Sequence, residues 1–142
     1  MTDATFEKVS PSDKPLYGPR KLLLCGFSSD TQSKFIKVLE YAGVVNVPRV
    51  WVTHNQGDTP ISELIKLPDG SGFGVSSQLP RAIVVSGVME KELITLMTVC
   101  RKTGMKDALW ATLTPTSETW DLQRLLSELA AEREALSKRK NG

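Results

Sequence analysis

Two cysteines, one histidine and two single-glycine turns are the features of this 142-residue chain whose types could do chemistry. Cys25 closes an apolar run just before Gly26 and the polar Ser28-Ser29-Asp30. That is a position where a helix N-terminus lowers a thiol pKa and makes it nucleophilic. No arginine follows at the spacing of a phosphatase loop, no resolving cysteine is near, and the matching position in the second half is Ser86. A buried small hydrophobe is the better reading, as it is for Cys100 on the apolar face of a helix. His54, with Asp58 close behind it, stands at the C-terminal end of a strand, where a general base could work. General acid–base chemistry needs partners that the sequence does not supply, so a solvated or capping histidine is the better reading. No catalytic residue is expected.

The turns Cys25-Gly26-Phe27-Ser28-Ser29 and Ser86-Gly87-Val88-Met89-Glu90 lie where α/β proteins bind ligands, beside helix N-termini that favour anions. Gly26, Ser28, Ser29, Ser86 and Gly87 are therefore the candidate ligand turns. Neither turn is G-x-G-x-x-G or a Walker loop, and each has one glycine, so a plain tight turn is favoured over a nucleotide cradle. A single histidine and no Cys-x-x-Cys leave no thiolate or imidazole set for a metal. Neither a cofactor nor a metal is expected.

The elements that must position these residues follow from periodicity. Residues 1–19 end in the breakers Pro11, Pro15, Gly18 and Pro19 and read as a flexible arm. Leu22 to Cys25 form a continuous apolar run, as in a strand buried on both faces. Phe35, Ile36, Leu39 and Ala42 recur at helical spacing up to Gly43. Arg49 to Thr53 read as a strand, and Asp58-Thr59-Pro60 start a short helix over 61–67. Residues 68–80, rich in glycine and serine, read as a linker. Ala82 to Gly87 repeat the strand-then-glycine pattern, and the helix from Glu90 to Thr103 buries Leu93, Ile94, Leu96, Met97 and Cys100. Ala108 to Leu113 form the fourth strand. Ser117 and Glu118 open the last helix, whose apolar face is Leu122, Leu125, Leu126, Leu129 and, more weakly, Leu136.

The halves can be laid over one another. A shift of 61 residues puts Leu22 on Ile83, Gly26 on Gly87 and Gly43 on Gly104. A slip of two residues aligns Trp51 with Trp110, after which Ile61, Leu64 and Ile65 meet Leu122, Leu125 and Leu126. The expected fold class is α/β: two β-α-β-α repeats, 20–67 and 81–142, forming a small, mostly parallel sheet packed by helices. One half of about 50 residues buries too little surface to stand comfortably alone. The halves should share one four-stranded sheet or pack face to face about a pseudo-twofold axis.

Trp51 and Trp110 each lie between aliphatic neighbours, so each strand turns aliphatics to one face and an indole to the other. A core position under the second helix of each half is the favoured reading; an exposed aromatic platform for a partner is the functional one. Trp120, with Thr114 and Thr116 before it, adds a third ring that could anchor the last helix to the sheet.

A net charge of +2, with basic residues spread along the chain, argues against a dedicated nucleic-acid binder. No apolar run is long enough to insert into a membrane, though peripheral association stays open. No signal-peptide core opens the chain. A soluble intracellular protein is expected.

Leu113-Thr114-Pro115-Thr116, then Trp120, then Leu125, Leu126, Glu128 and Leu129 carry a resemblance. Residues 81–132 are similar to a mainly bacterial domain family of unknown function with a strand, a glycine, an amphipathic helix and a second strand ending L-T-P-T-N-x-x-W before a Leu- and Glu-rich helix. Lys106 stands near the family's lysine. Ser117 replaces the asparagine; it can still cap a helix, but an amide role is lost. The family has no established activity, so the resemblance implies a small α/β module and little else. The style of the chain is also similar to that of plant or algal organelle proteins, which places it in the plastid stroma in such a source and in the cytoplasm otherwise. The leading expectation is a non-enzymatic protein-binding module, an accessory, assembly or regulatory factor that docks on another protein. A small-ligand or nucleotide sensor at the glycine turns is the alternative, and a thiol enzyme at Cys25 the third.

Overall fold

A computed structural model describes residues 14–105 and 107–141; for 139–141 it describes the backbone only. The expected lysine, Lys106, and residues 1–13 of the expected arm lie outside the described residues. The element order is β1 (Lys21–Cys25), α1 (Ser29–Ala42), β2 (Arg49–Val52), α2 (Ile61–Ile65), β3 (Ala82–Ser86), α3 (Glu90–Lys102), β4 (Leu109–Thr112) and α4 (Leu122–Asn141). The strands form one four-stranded sheet in the order β2-β1-β3-β4. The outer pairs are parallel, and the central pair β1–β3 is antiparallel. The α/β class and the mostly parallel sheet are as expected.

Strand alternation divides the core into two layers. Leu22, Leu24, Ile83 and Val85 face α1 and α3, where they meet Phe35, Leu39, Leu96 and Cys100. Leu23, Cys25, Ala82 and Val84 face α2 and α4, against Ile61, Leu64, Leu122 and Leu126. The inner strands are thus covered on both sides, which is why they read as unbroken apolar runs. Ile94, expected in the core, is instead 55% exposed. It falls off the stripe defined by Leu96, Val99 and Cys100, the residues that α3 buries.

Helix ends follow local chemistry. The Ser28 hydroxyl accepts the Thr31 amide at the start of α1, and Gly43, at φ 77°, ends it in the left-handed region. The last helix begins later than expected. Ser117–Thr119 form a separate 3-10 turn, and α4 starts at Leu122 with the Asp121 carboxylate accepting the Arg124 amide at 2.8 Å. Helix α2 is shorter than expected, and Pro60 rather than a side-chain cap precedes it. Its first amide, Ile61, donates to the Trp120 carbonyl at 2.9 Å. In return Leu122 and Gln123 donate to the Thr59 and Gly57 carbonyls at 3.1 and 2.7 Å. The starts of α2 and α4 therefore cap each other across the chain.

Candidate functional site

Each glycine turn is held by the strand entry of the other half. Gly26 has φ 78°, and a Cβ there would overlap the Leu79 and Pro80 carbonyl oxygens ahead of β3. Gly87, at φ 68°, would meet the Gly18 carbonyl and Pro19 ahead of β1 in the same way. Both glycines are required by backbone approach as well as by φ. Several of the turn donors already have partners. Ser29 N–H donates to the Ser76 hydroxyl at 2.9 Å, Gly87 N–H to the Tyr17 carbonyl at 3.1 Å and Glu90 N–H to the Lys14 carbonyl at 3.2 Å. The Ser86 hydroxyl is buried and donates to the Pro19 carbonyl at 2.5 Å. Residues 14–19 are in this way fastened along the second turn, with Leu16 N–H bonded to the Val88 carbonyl at 2.8 Å.

The cysteines are both buried, and burial pushes the Cys25 thiol up to about 12 and that of Cys100 up to about 11. That shift runs opposite to the one an activated nucleophile needs. His54 and Asp58 are exposed, and among the described residues no group of three His, Cys, Asp or Glu side chains could hold a metal ion.

The tryptophans separate. Trp51 is 2% exposed and lies in the layer under α1 and α3, not under α2 as expected. The register explains the side: Leu24 is the partner of Trp51, and Leu24 faces α1 and α3. Its ring makes edge contacts with Phe27 and Phe35, centroids 5.7 and 6.4 Å away. Trp110 turns to the same layer but is only partly buried, because β4 is at the sheet edge. Trp120 precedes α4 rather than opening it, packs against the α2–α4 layer and carries the Arg124 guanidinium 4.3 Å above its ring. Thr114 and Thr116 are exposed. Thr114 is tied to Ser117, whose hydroxyl accepts the Thr114 amide at 3.0 Å. Serine in place of asparagine thus still closes this loop.

The two sheet edges differ. On β2, Trp51 N–H donates to the Ser71 carbonyl and Gly70 N–H to the Arg49 carbonyl, both at 2.8 Å. The connection 68–80 therefore runs along this edge, and Phe73 lies on Trp51 at 5.8 Å. Buried Gln32 secures it further, donating to the Val75 carbonyl at 2.9 Å and accepting the Gly74 amide at 2.7 Å. On β4, Leu109 N–H and Leu113 N–H point inward to the Arg81 and Val85 carbonyls, each at 2.9 Å. Alternation then turns the amide groups of Trp110 and Thr112 outward, and no strand or turn of the described residues pairs with them.

An apolar groove flanks that edge on each face. One, of about 650 Å3, lies between Leu109 and Trp110 and the overhanging Leu129 and Leu136 of α4. The other, of about 220 Å3, lies between Trp110 and Leu93 and Met97 of α3. Arg133 fixes the overhang by donating to the Asp107 and Ala108 carbonyls at 3.1 and 2.9 Å. Sequence reading singled out Trp110 here but missed the edge, since strand order is not written in periodicity. The weak fifth leucine, Leu136, 52% exposed, was the one available signal.

Fold and edge together define a small three-layer α/β protein with one sheet edge covered by its own chain and one left unpaired among the described residues. Residues 81–136, from β3 into α4, match the family model described as a domain of unknown function (DUF3783). No curated protein and no solved structure matches the chain.

Proposed function

We propose that this protein is a non-enzymatic protein-binding module, an accessory, assembly or regulatory factor, and that it takes an extended segment of another protein along β4. The observation that carries this reading is the asymmetry of the sheet. The chain covers β2 with residues 68–73, whereas among the described residues nothing pairs with the outward amide groups of Trp110 and Thr112, which lie between two apolar grooves. Open edges template strand addition, and folded proteins usually blunt them with charge, proline or a covering segment. An added strand would place alternate side chains into the grooves on the two faces, with Trp110 as the buried anchor. The reading carries with it a soluble intracellular setting, the plastid stroma if the source is a plant or alga, which fractionation of source cells would check.

The test uses Thr112→Pro, which removes one outward N–H while keeping every bond from β4 to β3. Tagged wild-type protein should retain a stoichiometric partner from source lysate. Thr112→Pro, with an unchanged melting temperature, should lose it. Equal capture by both proteins, or self-association through β4 in sedimentation runs with no other partner, would overturn the proposal.

A further inference from the structure

Arg20 and Arg81 hold equivalent places, each immediately before an inner strand. The fork of Arg20 is filled. Its two terminal nitrogens donate to the two Glu92 carboxylate oxygens, each at 2.7 Å, and one also reaches the Asn46 side-chain oxygen at 3.1 Å. Glu92 is the third residue of α3; the third residue of α1, facing Arg81, is Thr31. The carboxylate that meets Arg20 therefore has no counterpart on α1 for Arg81. Its Nε is buried without a hydrogen-bond partner among the described residues, and its guanidinium lies 4.9 Å from the centre of the Phe27 ring. A buried, unpaired donor is rare in folded proteins and calls for an explanation.

Arg81 borders a cleft of about 670 Å3 between α1 and the end of α3. Lys34, Lys37 and Lys102 stand around it, Val38 and Met105 give it apolar surface, and no aspartate or glutamate among the described residues lines it. The carbonyl end of α3, which would repel an anion, is already occupied: Thr103 and Met105 amides donate to the Val99 and Cys100 carbonyls at 3.0 and 2.8 Å. The size falls within the range of roughly 300–1,000 Å3 found for small-molecule sites.

We infer that this cleft binds a small phosphate-bearing organic anion, whose oxygens take at Arg81 the place that Glu92 takes at Arg20. A planar guanidinium binds such oxygens in pairs, and lysines serve phosphate as point charges. Four cations and no acid call for more negative charge than one carboxylate carries. The site is independent of the β4 edge, on the opposite side of α3 from the groove formed by Leu93 and Met97.

Calorimetry with inorganic pyrophosphate at constant ionic strength tests it, with citrate as a polyanion lacking phosphate. Pyrophosphate should bind in equimolar ratio and raise the melting temperature by mass action. Arg81→Gln should weaken it about tenfold or more, as expected for loss of a charge-assisted contact. Because Arg81 also covers Phe27, Lys34→Gln/Lys102→Gln provides a second arm with the same expected loss. Lys66→Gln, on the other face, should bind as wild type does. No binding at millimolar pyrophosphate would overturn the assignment, as would equal weakening by Lys66→Gln or citrate binding as tightly as pyrophosphate. Binding to vesicles of phosphorylated lipid without any response to pyrophosphate would overturn it too.

Discussion

Cys25 and Gly26 are neighbours with one constraint between them, the closeness of the chain entering β3. Cys25 is fully buried, so iodoacetamide at neutral pH should label neither it nor Cys100 in native protein, and both should react at once in denaturant. Rapid native labelling of Cys25 would contradict the burial described. Gly26→Ala combines a left-handed φ with overlap on two carbonyl oxygens, and should cost about 2–4 kcal/mol in denaturant unfolding. Glu92 shows a third kind of constraint. Its hydrogen bond to Arg20 comes first among the causes that hold its carboxyl below the usual value, although burial works the other way. A lowered folded value contributes stability above the ordinary glutamate pKa of about 4.3, lost as pH falls through the folded value. Glu92→Gln should therefore cost about 1–2 kcal/mol near neutrality, converging on wild type in acid. Urea unfolding across that range reads the difference. Cys25 was legible because an aliphatic run leads into it, and Cys100 because it falls on the apolar face of its helix. The Arg20–Glu92 pair was not, since 72 residues separate its members.

Among elements, the strands and helices were legible because apolar spacing reports burial directly. The start of α4 was misplaced because Ser117 resembles a cap by type, whereas its hydroxyl is engaged with Thr114 and Asp121 does the capping. The 68–80 connection shows how composition can mislead about attachment. Gly70 and Gly72 both have positive φ, and Gly72 brings the backbone onto that of Trp51, so glycine here fits the chain closely against an edge. Gln32 is its clasp. Gln32→Ala should lower stability by about 1–2 kcal/mol, and it should speed chymotrypsin or elastase cleavage within 70–77, after Phe73 or Val75, well beyond the global loss. Cleavage that merely tracks global unfolding would show that the clasp does not hold this segment separately.

For the whole molecule, what the sequence could not show was how the two halves meet. The strand direction at β1–β3 depends on contacts about 60 residues apart, which no local pattern encodes. Joined in this way, neither half completes its own sheet, and the starts of α2 and α4 rest on each other's carbonyls. Residues 81–142 expressed alone should accordingly show no cooperative monomeric melt by circular dichroism, despite spanning the whole of the matched domain. A sharp, concentration-independent transition would contradict this. The same joining has a consequence during synthesis. When β1 leaves the ribosome its inner edge has no neighbour, because β3 is encoded some 60 residues later and arrives last of the two. Until then Leu22 to Cys25 form a nascent, sticky strand, which makes the growing polypeptide, more than the finished one, a client for chaperones.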